Sequence, residues 1–323
     1  MKKSVQVFFN IESYPYLFFN QYMTPIKPFE DTLMEIIKNN SFPLLPIKTD
    51  MKPLFKKLDH IRCVVFDVYG TLFVSGSGDI GTTLEDYKDC LFHKAAKKSS
   101  IVMDLDTPCE FFKNTFYSLI RKSHSDFRKK GIAHPEVDIL SIWSDFFSIL
   151  KKENIVKTMP AESEIIKFAV YYEILSNPVW PMPGINETLL ALEQGGFITG
   201  IVSNAQFYTP LLFEALTGKS LTAHGFKKDL LFFSYECAQA KPSPIMFEKL
   251  KDRLYNTYEI TADETIYIGN DMLNDVKTAS STGLKTALFA GDRRSLRLRE
   301  ESCTGIVPDA VITSLDQLYK RIL

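Results

Sequence analysis

The chain has 323 residues, 45% hydrophobic and 24% charged, which is enough to bury one large core and a smaller satellite domain. A formal net charge of -1 gives no overall electrostatic reason to expect nucleic acid or an acidic membrane as partner. No stretch reaches the roughly 20 apolar residues of a membrane span, and five scattered cysteines without a CxxC pair suggest reduced thiols in a cytosolic compartment.

Residues 1 to 58 are rich in aromatics and proline. Their start, MKKSVQVFFNIESYPYLFF, has the beginning of a signal peptide, but Asn10, Glu12, Ser13 and Pro15 break the apolar run and no small-residue cleavage site follows. FPLLPIKTDMKP reads as irregular. This part is expected to be an N-terminal extension whose aromatics cover a surface of the main body; no function is assigned to it. From Ile61 short apolar runs recur, each followed by turn residues and then a helical period: IRCVVF, FITGIVS, LLFFS, TIYIG, TALFA and AVIT. Runs that are continuous rather than alternating suit strands buried on both faces. INETLLALEQGG and PIMFEKLKDRLY make covering helices, the first with a Gly-Gly stop. The repeated strand–helix unit predicts an α/β fold with a doubly wound parallel sheet.

Between Leu84 and about Pro178 the rhythm changes to four helical periods, poor in glycine: LEDYKDCLFHKAAKK, CEFFKNTFYSLIRKSHSDFRKKG, VDILSIWSDFFSILKKE and SEIIKFAVYYEIL. They predict an inserted helical domain over 77–180, within a sheet domain made of 59–76 and 181–323. Ser75-Gly76-Ser77-Gly78 is the expected hinge into it and Pro178 to Pro183 the expected return.

In open α/β sheets ligands bind at the carboxyl ends of the strands. Just past VVF lies Asp67, in DVYGTL; past ITGIV lie Ser203 and Asn204; past LLFFSYECAQA lies Lys241, followed by Pro242. Past TIYIG lie Asn270 and Asp271, with Asp275 about one helical turn on, in GNDMLND. Singly, each has an ordinary explanation as a cap or turn residue. Their order on successive strands is much harder to obtain by accident.

That ordered set resembles the haloacid dehalogenase (HAD) superfamily over about residues 60 to 320. DVYGTL is similar to its first motif, SNA to its second, the Lys241-Pro242 element to its third and GNDMLND to its fourth; the helical insertion resembles the family's cap, and PMPGINETLLAL the segment that returns from it. The resemblance implies a Rossmann-like core and an attacking carboxylate at Asp67. Neighbouring carboxylates raise one another's pKa, which would ruin a nucleophile. Mg²⁺ removes that conflict, since it takes hard oxygen ligands, a couple of carboxylates and substrate phosphate. The expected metal set is Asp67, the carbonyl of Tyr69, Asp271 and, outside these or through water, Asp275. Lys241 is expected to neutralise charge shared between Asp67 and a transferring phosphoryl group. Ser203, with backbone amides around Gly70, Thr71 and Asn204, is expected to bind the phosphoryl oxygens.

Tyr69 departs from the family's phosphatases, which place a second Asp two residues after the nucleophile to protonate the leaving alcohol. General acid–base help is typically worth about 10²–10⁴-fold, so an alkoxide would miss that proton more than an aryloxide, acyl phosphate or halide. The first reading is a Mg²⁺-dependent phosphatase or phosphotransferase acting through an aspartyl-phosphate on a small phosphorylated metabolite in the cytoplasm. The second is a metal-independent 2-haloacid dehalogenase, whose first motif DVYGTL resembles closely but whose polar fourth motif GNDMLND does not. The third is a non-catalytic phosphate-binding regulatory module. The five histidines show no ligand spacing. The run Arg293-Arg294-Ser295-Leu296-Arg297-Leu298-Arg299 reads as a solvated helix face or as an anion-attracting patch near the rim. Oligomeric state is left open.

Overall fold

The computed structural model describes residues 27–76 and 90–323. The first 26 residues of the extension, the Ser77-Gly78 half of the expected hinge and residues 84–89 of the first insertion helix lie outside the described residues. In chain order the elements are α1 (Lys27–Asn40), β1 (Cys63–Phe66), β2 (Phe73–Ser75), α2 (Leu91–Lys98), α3 (Cys109–Lys129), α4 (Ile139–Lys152) and α5 (Glu162–Ser176). They continue with β3 (Val179–Pro181), α6 (Ile185–Gln194), β4 (Ile198–Ser203), α7 (Thr209–Thr217), β5 (Phe226–Phe233), α8 (Ser234–Cys237) and α9 (Ile245–Tyr258). The last are β6 (Thr265–Gly269), α10 (Thr278–Ser281), β7 (Lys285–Phe289) and β8 (Ala310–Ile312).

Six strands form one parallel sheet in the order β5-β4-β1-β6-β7-β8. The central strands β1 and β6 are buried at every residue, which is why CVVF and TIYIG carry apolar side chains on both faces. Helices pack on the two sides. Ile185, Leu189 and Leu192 of α6 join one apolar cluster, and Met246, Phe247, Leu250 and Leu254 of α9 join another with Cys63, Val65 and Tyr267. The doubly wound α/β sheet expected from the strand–helix rhythm is therefore present.

Helices α2 to α5 lie between β2 and β3, which pair antiparallel as a short neck, Phe73 opposite Pro181 and Ser75 opposite Val179. This helical insertion has a core of its own, dense in aromatic rings: Phe116 stacks on Trp143 at 4.3 Å, and Phe92, Phe112, Phe146 and Phe168 close around them. Cys90, at the start of α2, and Cys109, at the start of α3, form a disulfide with Cα atoms 5.5 Å apart. This corrects the expectation of five reduced thiols. The chain between the two helices reverses, so cysteines 19 residues apart meet although their spacing resembles no motif. Cys63, Cys237 and Cys303 are free, and the argument for a reducing compartment loses its basis at Cys90 and Cys109.

The extension carries one helix, α1, and then the segment FPLLPIKTDMKP, which has no helix or strand, as its composition suggests. α1 packs against both α5 of the insertion and α7 of the sheet domain, with Leu33 and Ile37 buried in the cluster that also holds Ile166, Val170, Leu212 and Phe213. Residues beyond α1 run along the β8 edge: Leu54 exchanges backbone hydrogen bonds with Val311 at 2.9 Å each way. No described helix is long and apolar enough to cross a membrane.

Candidate active site

Asp67 continues β1 by one residue, its amide donating to Ile268 O at 2.9 Å, so its carboxylate leaves the carboxyl end of the central strand. The chain then turns at Gly70, whose φ of +82° is open to glycine at little cost and which has no room for a side chain: a Cβ there would lie 2.5 Å from Ser295 Cβ. Lys241 reaches the same point from the segment after α8. An ammonium has three N–H bonds, and Lys241 Nζ donates to Asp67 Oδ1 at 2.8 Å, Asp275 Oδ1 at 2.6 Å and Tyr267 Oη at 2.9 Å. Lys241, Asp67 and Asp275 are all buried. Burial alone would depress the lysine pKa, but the carboxylates of Asp275 and Asp67 outweigh it and raise it, keeping the ammonium charged. Burial likewise pushes the Asp275 carboxyl up, against the pull of Lys241.

Two residues hold this lysine from behind. The Asn204 side chain grips its backbone, Oδ1 accepting from Lys241 N at 2.7 Å and Nδ2 donating to Lys241 O at 3.2 Å. Tyr267 donates its phenol proton to Val202 O at 2.7 Å, which leaves its lone pairs for the lysine. Asp275 is locked on its other oxygen by the Asp271 amide at 2.9 Å. Gly269 permits this, because a Cβ there would meet the Asp275 carboxyl at 2.3 Å.

Asp271 faces a different cation. It opens the π-helical segment Met272–Lys277, its Oδ1 accepting from the amides of Leu273 and Asn274 at 2.8 and 3.1 Å. Its Oδ2 accepts from Arg299 through Nε at 3.2 Å and Nη2 at 2.9 Å. The basic run 293–299 is thus not a solvated helix face. It is irregular chain laid on the fourth motif: Arg297 N donates to Asn270 O at 3.0 Å and Met272 N to Arg297 O at 2.8 Å. Asn270 is enclosed by the same contacts, accepting from Thr71 Oγ1 at 3.1 Å and donating to Ser295 O at 2.6 Å.

Tyr69 turns its phenol to Thr209 Oγ1, 2.9 Å away at the start of α7. Burial first, then the charges of Glu173 and Asp67, push its pKa well up, so it is a neutral phenol and no base at neutral pH. Next to Thr209, Tyr208 donates to Glu173 Oε2 of α5 at 2.7 Å. A second carboxylate of the insertion, Glu136, accepts from Ser234 Oγ at 2.7 Å and Gln206 Nε2 at 3.3 Å. Burial raises both carboxyl pKa values.

The structure therefore brings Asp67, Lys241 and Asp275 into direct contact, sets Asn204 on the lysine backbone, and places Asp271 on Arg299. Ser203 is fully buried, its hydroxyl 3.4 Å from Asn204 O. The Gly70 amide donates to Phe73 O at 2.7 Å within the turn. Tyr267, Glu136, Glu173 and Tyr208 are not singled out in the sequence, and Arg299 stands out there only as part of the basic run 293–299. Tyr267 had one signal, a polar tip inside the buried run TIYIG. Among the described residues no group of three or more His, Cys, Asp or Glu side chains is arranged to hold a metal ion. The ligands expected from the sequence, the carboxylates of Asp67 and Asp271 with the Tyr69 carbonyl, are all oxygen donors, a chemistry that suits a hard cation. Among the described residues, Asp67 and Asp275 are ion-paired with Lys241, and Asp271 with Arg299.

The sequence pattern of the haloacid dehalogenase-like hydrolases matches residues 61–283. Glyceraldehyde 3-phosphate phosphatase of Pyrococcus furiosus is 28% identical over 141 residues, covering 43% of this chain and 53% of that protein. Ribulose-1,5-bisphosphate 5-phosphatase of Halopiger xanaduensis is 32% identical over 108 residues, covering 33% and 41%. The matched region thus spans about half the length, or less, of these curated relatives. The solved 2-haloacid dehalogenase of Pseudomonas syringae pv. Tomato is 17% identical with a TM-score of 0.55 over 80% of this chain and 97% of that one, a likeness of fold. A strand-end aspartate bound to a lysine from a distant segment, and a family pattern across more than two hundred residues, lead to one conclusion: the chain belongs to the haloacid dehalogenase-like hydrolases.

Proposed function

We propose that this hydrolase is a Mg²⁺-dependent phosphatase or phosphotransferase that works through an aspartyl-phosphate at Asp67 on a small phosphorylated metabolite. The observation that carries the reading is the Lys241 ammonium shared between Asp67 and Asp275 at 2.8 and 2.6 Å. An oxygen of Asp67 attacks phosphorus, the P–O bond to the leaving group breaks, and water later cleaves the acyl phosphate. Lys241 holds Asp67 through the 2.8 Å contact and stays close to the charge that the phosphoryl group brings. Mg²⁺ held by Asp67, the Tyr69 carbonyl and Asp271 would supply a further positive charge to the phosphoryl oxygens. The two relatives named as phosphatases, of glyceraldehyde 3-phosphate and of ribulose 1,5-bisphosphate, support this class of substrate. Helices α2 to α5 act in this reading as a cap over the site.

Because Tyr69 is a neutral phenol bonded to Thr209, the leaving group departs without carboxylic acid help from that position. Phosphates with good leaving groups, aryl or acyl, are therefore the preferred substrates. The same residue favours the second reading, a dehalogenase, since a halide needs no proton. One panel separates the two: aryl phosphate, sugar phosphate, acyl phosphate and 2-haloacid, each with Mg²⁺ and with chelator. Aryl phosphate hydrolysis that needs Mg²⁺ and disappears in Asp67→Asn is the expected result. Haloacid turnover in chelator would replace the phosphatase reading, and phosphate binding without any turnover would favour a regulatory module.

A further inference from the structure

The segment 291–299 lies against the fourth motif with more contacts than a surface loop requires. Its backbone pairs with Asn270 and Met272, as described, and Asp292, almost fully buried, accepts from Ile47 N at 2.9 Å and Arg294 N at 3.2 Å. Ser295 is also buried, its hydroxyl without a hydrogen-bond partner among the described residues, beside Gly70. At its end Arg299 adopts φ +50°, a left-handed conformation that costs a non-glycine residue energy and persists only where the surroundings impose it. The turn that imposes it is visible: the amides of Ser302 and Cys303 both donate to Arg299 O, at 2.9 and 3.0 Å. From that backbone the guanidinium reaches Asp271 Oδ2 with two nitrogens, a charge-assisted contact in which Arg299 is 35% exposed and Asp271 8%.

We propose that Arg299 is a positioning residue that sets the affinity of the site for its divalent cation, by holding the Asp271 carboxylate until the ion replaces it. The inference rests on the phosphatase reading, in which Asp271 is a metal ligand. Asp271 Oδ1 is already committed to the amides of Leu273 and Asn274, so Oδ2, which also accepts from Asn274 Nδ2 at 3.3 Å, is the oxygen that ion and guanidinium compete for. Arg299 sets a second positive charge, beside that of Lys241, against the carboxylates of Asp67, Asp271 and Asp275.

Calorimetric titration of the full chain with MgCl₂ tests this without measuring turnover. Arg299→Gln keeps a hydrogen-bond donor but removes the charge, and it should bind Mg²⁺ about tenfold more tightly than the wild type, roughly 1.4 kcal/mol. Arg299→Lys, which keeps the charge and loses the fork, should fall between them, and it carries the test if the glutamine variant does not fold. Asp271→Asn should lose binding in either background. Equal affinity in wild type and both Arg299 variants, with binding still lost in Asp271→Asn, overturns the role of Arg299 and leaves the metal reading standing. Absence of Mg²⁺ binding in all of them overturns both.

Discussion

Lys241 is held by geometry as much as by charge, since its ammonium makes short contacts to Asp67, Asp275 and Tyr267 with a longer one to Val202 O, and Asn204 fixes its backbone. Replacing it by methionine leaves Asp67 and Asp275 buried near each other without a cation. Loss of one partner from a buried ion pair costs about 3–5 kcal/mol, so Lys241→Met should lower the denaturant midpoint substantially and abolish phosphate hydrolysis; an unchanged midpoint would mean that the carboxylates escape to solvent. In the phosphatase reading, Tyr69 is the residue on which the choice of leaving group turns. Tyr69→Asp gives up the bond to Thr209 and restores a carboxyl group two places after the nucleophile. Alkyl-phosphate turnover should rise, by no more than about 10²–10⁴-fold, while aryl-phosphate turnover changes far less. Steady-state rates on the two substrates decide it, and no preferential gain for the alkyl ester would refute the leaving-group argument.

At the scale of elements, α1 is placed where movement between the two domains would be felt. Its buried Leu33 and Ile37 share a cluster with residues of α5, in the insertion, and α7, in the sheet domain, and Lys98 of α2 donates to Asn40 at 2.8 Å. An aspartate at position 37 would be a buried charge without a partner, so Ile37→Asp should undock the helix. Amide hydrogen exchange in α5 and α7 should then accelerate strongly while β1 and β6 stay protected. Exchange that is unchanged in α5 and α7 would show that α1 merely rests on the surface. The neck of β2 and β3 remains in either case, with Gly76 N donating to Pro178 O at 2.8 Å.

Across the whole molecule, the insertion and the sheet domain meet through the partly buried carboxyl groups of Glu173 and Glu136. Glu173 accepts from Tyr208 and from Asn177 Nδ2, at 2.7 and 3.2 Å, and burial raises its pKa above that of an exposed glutamate. A carboxyl raised in the folded state binds its proton more tightly there than in the unfolded chain. Its contribution to stability is therefore full below the ordinary carboxylate range and is lost as pH rises through the elevated folded value. Glu173→Gln keeps the shape and the neutral form, so it should remove this residue's share of the slope. Thermal melts at acidic and neutral pH test it: the fall in Tm towards neutral pH should be smaller in the variant, and an identical fall would mean that Glu173 is ionised throughout.

The strands, the covering helices and the order Asp67, Ser203, Lys241, Asp271 and Asp275 along the rim are legible in the sequence because their signals are local. An apolar run, its period and the residue just past it can all be read within about ten positions. Tertiary structure alone decided which charges face each other. Arg299 meets Asp271 across 28 residues, Tyr208 meets Glu173 across 35, and Cys90 meets Cys109 across 19. Each pairing depends on the path of the chain between its members, and no period or spacing encodes that path. By itself the sequence determined a parallel sheet with an acidic rim and a lysine; the packing of α5 and of segment 291–299 decided which carboxylates are held by cations and which are pushed by burial towards the protonated form.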